Sequence, residues 1–150
     1  MLSYRHSYHA GNFADVLKHI VLVECLEHFN KKDAPFDYID THSGAGLYDL
    51  RSVNANKTAE GIAKLKRIDF VELETYFNVI DTLNAEQGID LKKKSLTFYP
   101  GSPAIAHHYV TRPEREKDKA WLFELHSSDF RILSESMATD SKAMARKIRI

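Results

Sequence analysis

Asp37-Tyr38-Ile39-Asp40-Thr41-His42-Ser43-Gly44-Ala45-Gly46 is a short apolar run that ends in a carboxylate and passes into a Gly-x-Gly turn. It predicts a buried strand from Phe36 to Asp40, feeding a loop whose backbone can approach a ligand closely. Open α/β sheets hold nucleotide-like cofactors in this way. A loop built for a pyrophosphate continues to a third glycine, and here that position is Asp49. Asp40 and Asp49 flank the loop. Carboxylates repel a pyrophosphate but suit a ligand that carries positive charge on an amino group and a sulfonium. The pattern favours S-adenosylmethionine over a nicotinamide dinucleotide, and a small dehydrogenase is disfavoured on the same ground.

The rest of the chain bounds that reading. With 150 residues and 43% hydrophobic content it can bury one core. Lys+Arg and Asp+Glu are 21 each, so the whole molecule has no general attraction to nucleic acid and any RNA contact must be local. The single Cys25 cannot form an internal disulfide, and the opening residues lack the apolar centre of a signal peptide. No apolar stretch approaches the roughly 20 residues that cross a bilayer. A cytoplasmic monomer with no membrane partner is expected.

Moving outward from the glycine turn, Asn12 and Asp15 predict the start of a helix running to about Phe29. Its all-apolar middle, Ile20-Val21-Leu22-Val23, implies cover on more than one side. Residues 51–94 change character, with helices expected over 59–68 and 70–84 (Leu73, Phe77 and Ile80 at helical spacing). The segment exceeds a simple crossover and reads as an inserted helical subdomain. Leu96 to Tyr99 resumes a strand, and Pro100-Gly101-Ser102-Pro103 starts a helix to about Val110, with Ser102 as cap. Ala120 to Leu125 is a second strand entering Glu124, and Ser128 and Asp129 should cap the helix after it. Arg146 to Ile150 begins a third strand. Two or three parallel strands leave an edge and a face uncovered, as half of a larger domain would.

Glu124, at the end of the neighbouring strand, can accept both hydroxyls of a ribose, although it lies much farther along the chain than the usual roughly 20 residues past the loop. Asp40 and His42 stand where a cofactor's methionine end would lie, with His42 also explained as a plain turn residue. Ser102 can offer its hydroxyl to a ligand or serve only as a cap. The segment from Tyr4 to Asn12, followed by Lys18-His19, mixes aromatic, basic and hydrogen-bonding groups that can stack on a base and grip phosphate, or can form a polar terminus. His6, His9 and His19 are close in sequence, but no cysteine or carboxylate completes a tetrahedral set, so no metal is expected. His107-His108 and Lys92-Lys93-Lys94 read as solvated faces.

Tyr4 to His19, with Asp40-Thr41-His42-Ser43-Gly44-Ala45-Gly46, Tyr99-Pro100-Gly101-Ser102-Pro103 and Glu124-Leu125-His126-Ser127-Ser128-Asp129, strongly resembles one bacterial family over essentially the whole chain. This is the family of 23S ribosomal RNA adenine-N6 methyltransferases known as large-subunit methyltransferase J. The resemblance implies a Rossmann-like methyltransferase domain over residues 1–50 and 95–150, with the helical insertion at 51–94. It implies that His19, His42, Ser102 and Glu124 contact S-adenosylmethionine, with Glu124 on the ribose. The loop reading adds Asp40, Gly44 and Gly46. The resemblance further implies that Tyr4, His6 and Lys18 position the target adenosine of 23S ribosomal RNA. The Asp-Pro-Pro-Tyr motif with which such enzymes hold the adenine amine is absent from residues 1–150. The expectation is therefore an N-terminal portion of a longer enzyme, inactive alone and without a catalytic residue of its own. A non-enzymatic RNA-binding module is the alternative.

Overall fold

Asn12 opens the first helix in a computed structural model that describes residues 6–52, 60–90, 95–138 and 142–150, apart from the side chains of His6, Lys142 and Ala143. Its side-chain oxygen accepts the Asp15 N–H at 2.9 Å, while the Asp15 carboxylate accepts the Gly11 N–H at 3.2 Å. This reciprocal pair satisfies donors that a helix start leaves unpaired. The helix, α1, is Phe13–Asn30. The expected cover on several sides is corrected: Val23 is buried and Ile20 and Leu22 are half-buried, but Val21 is 55% exposed, and Phe13 and Leu17 on the same face are exposed too.

Three parallel strands form the main sheet: β1 (Asp37–Asp40), β4 (Lys119–Leu122) and β5 (Ile148–Arg149), in the order β1-β4-β5. Asp40 pairs with Leu122, and Ala120 with Ile148. The side-chain alternation sends Ala120, Leu122 and Ile148 to one face, where they pack on Val110 of α3 (Ser102–Val110) and Leu133 of α4 (Ser127–Ser136). Ile39 and Phe123 are 63% and 54% exposed, so among the described residues the other face is bare, and β1, expected as a buried strand, is covered on one face only. Rossmann-like sheets place ligands at the carboxyl ends of such strands. The third strand is shorter than expected, because Arg146 and Lys147 still belong to α5 (Lys142–Lys147).

The glycine turn runs directly into β2 (Leu47–Asp49), which pairs antiparallel with β3 (Phe98–Pro100). The strand expected over 96–99 thus starts two residues later, ends one residue later and belongs to a separate two-stranded ribbon. Asn84 of α2 (Glu74–Glu86) occupies the other edge of that ribbon, accepting the Phe98 N–H at 3.0 Å and donating to the Phe98 carbonyl at 2.8 Å. The helix expected over 59–68 does not form in its described part, where turns and a 3-10 turn at Arg67–Asp69 take its place. The backbone there is committed elsewhere: Ile62 N–H donates to the Gly11 carbonyl at 2.9 Å, and a Cβ on Gly61 would fall 2.0 Å from that same oxygen. The helix expected from residue 70 begins at Glu74, after another 3-10 turn at Val71–Leu73. Tyr76, Phe77, Ile80 and Leu83 of α2 share one core with Val23 and Leu26 of α1 and with Ile105 and Tyr109 of α3.

Candidate cofactor cleft

A cleft of about 350 Å³ opens at the carboxyl ends of β1 and β4. That lies within the range of small-molecule sites. Two loops make its rim. After β1 the chain turns through Thr41-His42-Ser43-Gly44, with Gly44 at φ +63°, a conformation that disfavours side chains. After β4 it passes Glu124, Leu125 and His126 into α4. The loops are laced together by Ser43 N–H on the Phe123 carbonyl (3.0 Å) and Phe123 N–H on the Asp40 carbonyl (2.8 Å).

Glu124 is the joint. Its Oε2 accepts the Gly44 N–H at 2.7 Å and its Oε1 accepts the His126 N–H at 2.6 Å. Backbone donors orient the carboxylate, and each oxygen retains acceptor capacity, since an ionised carboxylate has about four lone-pair sites. A diol is a suitable ligand for that arrangement.

Asp40 acts from behind the cleft and is not part of its lining. It accepts the His42 N–H (3.0 Å), the Tyr38 hydroxyl (3.0 Å) and the Ser102 hydroxyl (2.5 Å). Burial, reinforced by the Asp40 charge and hydrogen bond, pushes the Tyr38 phenol up, so it remains a donor. Ser102 lines the cleft from the first turn of α3. The residue before the helix is Gly101, whose N–H donates to the Gly46 carbonyl at 2.7 Å, so Ser102 is corrected from cap to first-turn residue. A similar correction holds for α4. His126 takes the cap position and makes no side-chain cap bond, while Ser128, inside the first turn, bonds the His126 ring at 2.9 Å and Asp129 at 3.2 Å.

Of the remaining sequence-derived candidates, His19, His42, Gly44 and Lys18 line the cleft. His19 is buried on α1, His42 is exposed with its Nδ1 on the Thr41 hydroxyl at 2.9 Å, and Lys18 reaches out from a 2.9 Å ion pair with buried Asp15. Gly46 lies off the lining: at φ +82° it turns toward α4, where a Cβ would meet Leu133 at 3.1 Å and Met137 at 3.3 Å. His6 opens a 3-10 turn, His6–Tyr8. Tyr4 and Lys92-Lys93-Lys94 lie outside the described residues.

The negative charge at the cleft comes from residues other than Asp40 and Asp49, which were expected to supply it. Asp49 is part of β2 and pairs with Arg51 at 2.6 Å, whose hydrogen bonds hold its carboxyl below the ordinary range. The carboxylates lining the cleft are Glu124 and Asp129. Asp129 and Tyr48 were not foreseen in the site. Tyr48 accepts the Ala45 N–H at 3.1 Å, and burial pushes its phenol up. A bulky residue two past the glycine turn was the available signal. His107 and His108 are half-buried rather than solvated, and burial lowers the pKa of both. Among the described residues no cluster of three His, Cys, Asp or Glu could hold a metal, and no helix is long and apolar enough to cross a membrane.

Comparison with known proteins adds an independent finding. The family model described as ribosomal RNA large subunit methyltransferase D, RlmJ, matches residues 33–148. Ribosomal RNA large subunit methyltransferase J of Escherichia coli (strain K12) is 45% identical over 98% of the chain, and that of Haemophilus influenzae is 43% identical over 97%. The chain spans about half the length of these curated relatives, 50% of each. The crystal structure of protein LPL1258 from Legionella pneumophila, of the family DUF519, superposes with a TM-score of 0.67 at 33% identity. The match covers 93% of this chain and 47% of that one.

Proposed function

The chain belongs to the RlmJ family of ribosomal RNA large subunit methyltransferases, and from that premise we propose that its cleft binds S-adenosylmethionine for methylation of the N6 amine of an adenosine in 23S ribosomal RNA. The observation that carries this reading is the 2.7 Å bond between Gly44 N–H and Glu124. It brings the glycine loop and the acid after the adjacent parallel strand to one ligand, as nucleoside-containing cofactors require. The fit extends to charge. A carboxylate-lined rim suits a sulfonium, and Glu124 would take the ribose hydroxyls, His42, Ser102 and Gly44 the rest of the cofactor, and His19 the wall beneath it.

The cofactor supplies an electrophilic methyl carbon. The protein's task is to hold the adenine amine in line with it, because alignment supplies much of the rate in such transfers. Lys18 at the mouth, with Tyr4 and His6, would position the RNA. The acceptor for the amine hydrogens is not among residues 1–150, in which no Asp-Pro-Pro-Tyr occurs. We assign it to the half of the relatives' length that this chain does not span, so this chain alone binds cofactor without transferring methyl. Residues 51–94 are in this reading an insertion between the two parts of the domain, and the protein works as a cytoplasmic monomer without metal.

Calorimetry tests the reading. S-adenosylhomocysteine should give binding heat and NADH none. Glu124→Ala should weaken binding by about 1.5–3 kcal/mol, the range for a hydrogen bond to a charged group, which is roughly tenfold or more. A folded chain with no S-adenosylhomocysteine heat, but with RNA binding that weakens steeply with salt, would instead mark an RNA-binding module.

A further inference from the structure

The 51–94 insertion presses backbone against backbone on the turn that precedes α1. A Cβ on Gly61 would fall 2.0 Å from the Gly11 carbonyl oxygen, 2.4 Å from the Asn12 carbonyl carbon and 2.7 Å from Asn12 Cα. All three are main-chain atoms, so no side-chain rotation relieves the clash, and only glycine allows so close an approach. Beside it the Ile62 N–H donates to the same Gly11 carbonyl at 2.9 Å. The Ile62 side chain, 5% exposed, is buried in one core with Val16 of α1.

The turn gripped in this way is Ala10-Gly11-Asn12. Gly11 sits at φ +75°, and the Asn12 N–H closes the turn on the His9 carbonyl at 2.9 Å. Ala10 packs with Ala45 and Tyr48 beside the glycine loop. The Gly11 N–H donates to Asp15 Oδ2 at 3.2 Å, and Asp15 Oδ1 holds Lys18 Nζ at 2.9 Å. A short relay thus runs from Ile62 through Gly11 and Asp15 to Lys18, from the insertion to an ammonium that lines the cleft. Tyr4 and His6 precede the same turn in the sequence.

We propose that Gly61 is a positioning residue for RNA: the Gly61–Ile62 edge of the insertion clamps the turn through which Tyr4, His6 and Lys18 take their places. The proposal rests on the RNA reading given above and gives the insertion a part in it without requiring the insertion to touch RNA. Phosphate contacts fix the register of a nucleic acid on a protein, so the cation that makes them must itself be fixed. Glu124, Ser102 and His42 are set by β4, α3 and β1, so cofactor binding does not depend on the clamp.

The test is a double-mutant cycle in the full chain, reading retention of deproteinised 23S ribosomal RNA on filters at low salt, with S-adenosylhomocysteine calorimetry beside it. Gly61→Ala should weaken RNA binding roughly threefold to tenfold, the equivalent of about one hydrogen bond. S-adenosylhomocysteine affinity should stay within about twofold. In a chain already carrying His6→Ala and Lys18→Ala, Gly61→Ala should weaken RNA binding no further, because changes that act through the same groups do not add. A full additional loss in that background overturns the proposal, as does an equal loss of RNA and S-adenosylhomocysteine affinity. Coupling is reciprocal, so wild type supplies a second measurement that needs no variant to fold. Bound RNA should slow amide exchange at Ile62 and Asn12 more than at Leu83 of α2, and equal or absent slowing overturns the proposal. If wild type does not retain the RNA, the RNA assignment itself fails and the positioning role with it, an outcome distinct from the others, in which wild type binds.

Discussion

Strands β1 and β4 are tied together at both ends by an acid, and the two ties differ in what they leave open. At the amino ends Asp118 and Arg115 are sealed. Arg115 donates to the Lys32 carbonyl (2.6 Å), to the Ala34 carbonyl (2.9 Å) and to Asp118 (2.6 and 3.1 Å), while Asp118 also accepts the Phe36 N–H at 3.2 Å. Their side chains are 6% and 1% exposed. At the carboxyl ends Glu124 bridges the loops with two backbone bonds but faces the cleft. One carboxylate is enclosed by the fold, with three accepted bonds and no exposed surface for a ligand; the other is oriented by the fold and still faces the cleft.

The sharpest way to break this contrast is Arg115→Ala. It leaves Asp118 buried without its cation, a change that costs about 3–5 kcal/mol. Denaturant unfolding should show that loss, with S-adenosylhomocysteine affinity unchanged wherever the chain is folded. A loss below about 1 kcal/mol would show the amino-end tie to be ordinary surface pairing.

Glu124→Gln probes the other end. The side chain keeps its size, but its amide NH₂ must face one of two backbone donors. Ligand affinity should fall by about 1.5–3 kcal/mol, while stability changes by only about 1 kcal/mol. Equal losses in both would erase the distinction between the two ends.

The sequence exposed this contrast only in part. The first strand, its glycine turn and Glu124 were legible because a strand ending in an acid beside a tight turn is a local pattern. Helix α1 was legible from the Asn12 and Asp15 cap. The Arg115–Asp118 tie was not, since its carbonyl partners at Lys32 and Ala34 are remote in the chain and carry no residue signature. The β2–β3 ribbon escaped for a related reason. Its pairing depends on Asn84 closing an edge from another helix, and its residues 47–49 read locally as more glycine loop. The helix expected over 59–68 failed where helical propensity lost to a close backbone contact at Gly61. Asp49 was misplaced because its ion pair with Arg51 is invisible to a motif count.

Gly46→Ala asks whether the carboxyl end also carries packing strain. The residue sits at φ +82°, and the new methyl would lie 3.1 Å from Leu133. A left-handed conformation costs a non-glycine residue about 1–2 kcal/mol. The unfolding midpoint should drop accordingly, with a smaller effect on affinity than Glu124→Gln, because Gly46 faces α4 and not the ligand.

The smallest expected effect is pH dependence at α3, which connects the two ends. Burial lowers the pKa of His107 below its ordinary 6.5. For His108 burial acts with the Arg112 charge and His107 against a smaller opposing effect of Glu27, and the net direction is also down. An imidazole whose folded pKa is depressed binds fewer protons folded than unfolded, so stability rises with pH through that interval. It should be fully present above 6.5 and decline as pH falls from there toward the folded values. Denaturation midpoints between about pH 5 and 8 will show the slope, and His107→Gln should flatten it. Because His107 lies on α3 away from the cleft lining, that variant should leave S-adenosylhomocysteine affinity at neutral pH unchanged. A shift in affinity would instead mean that the sealed and open ends communicate along α3.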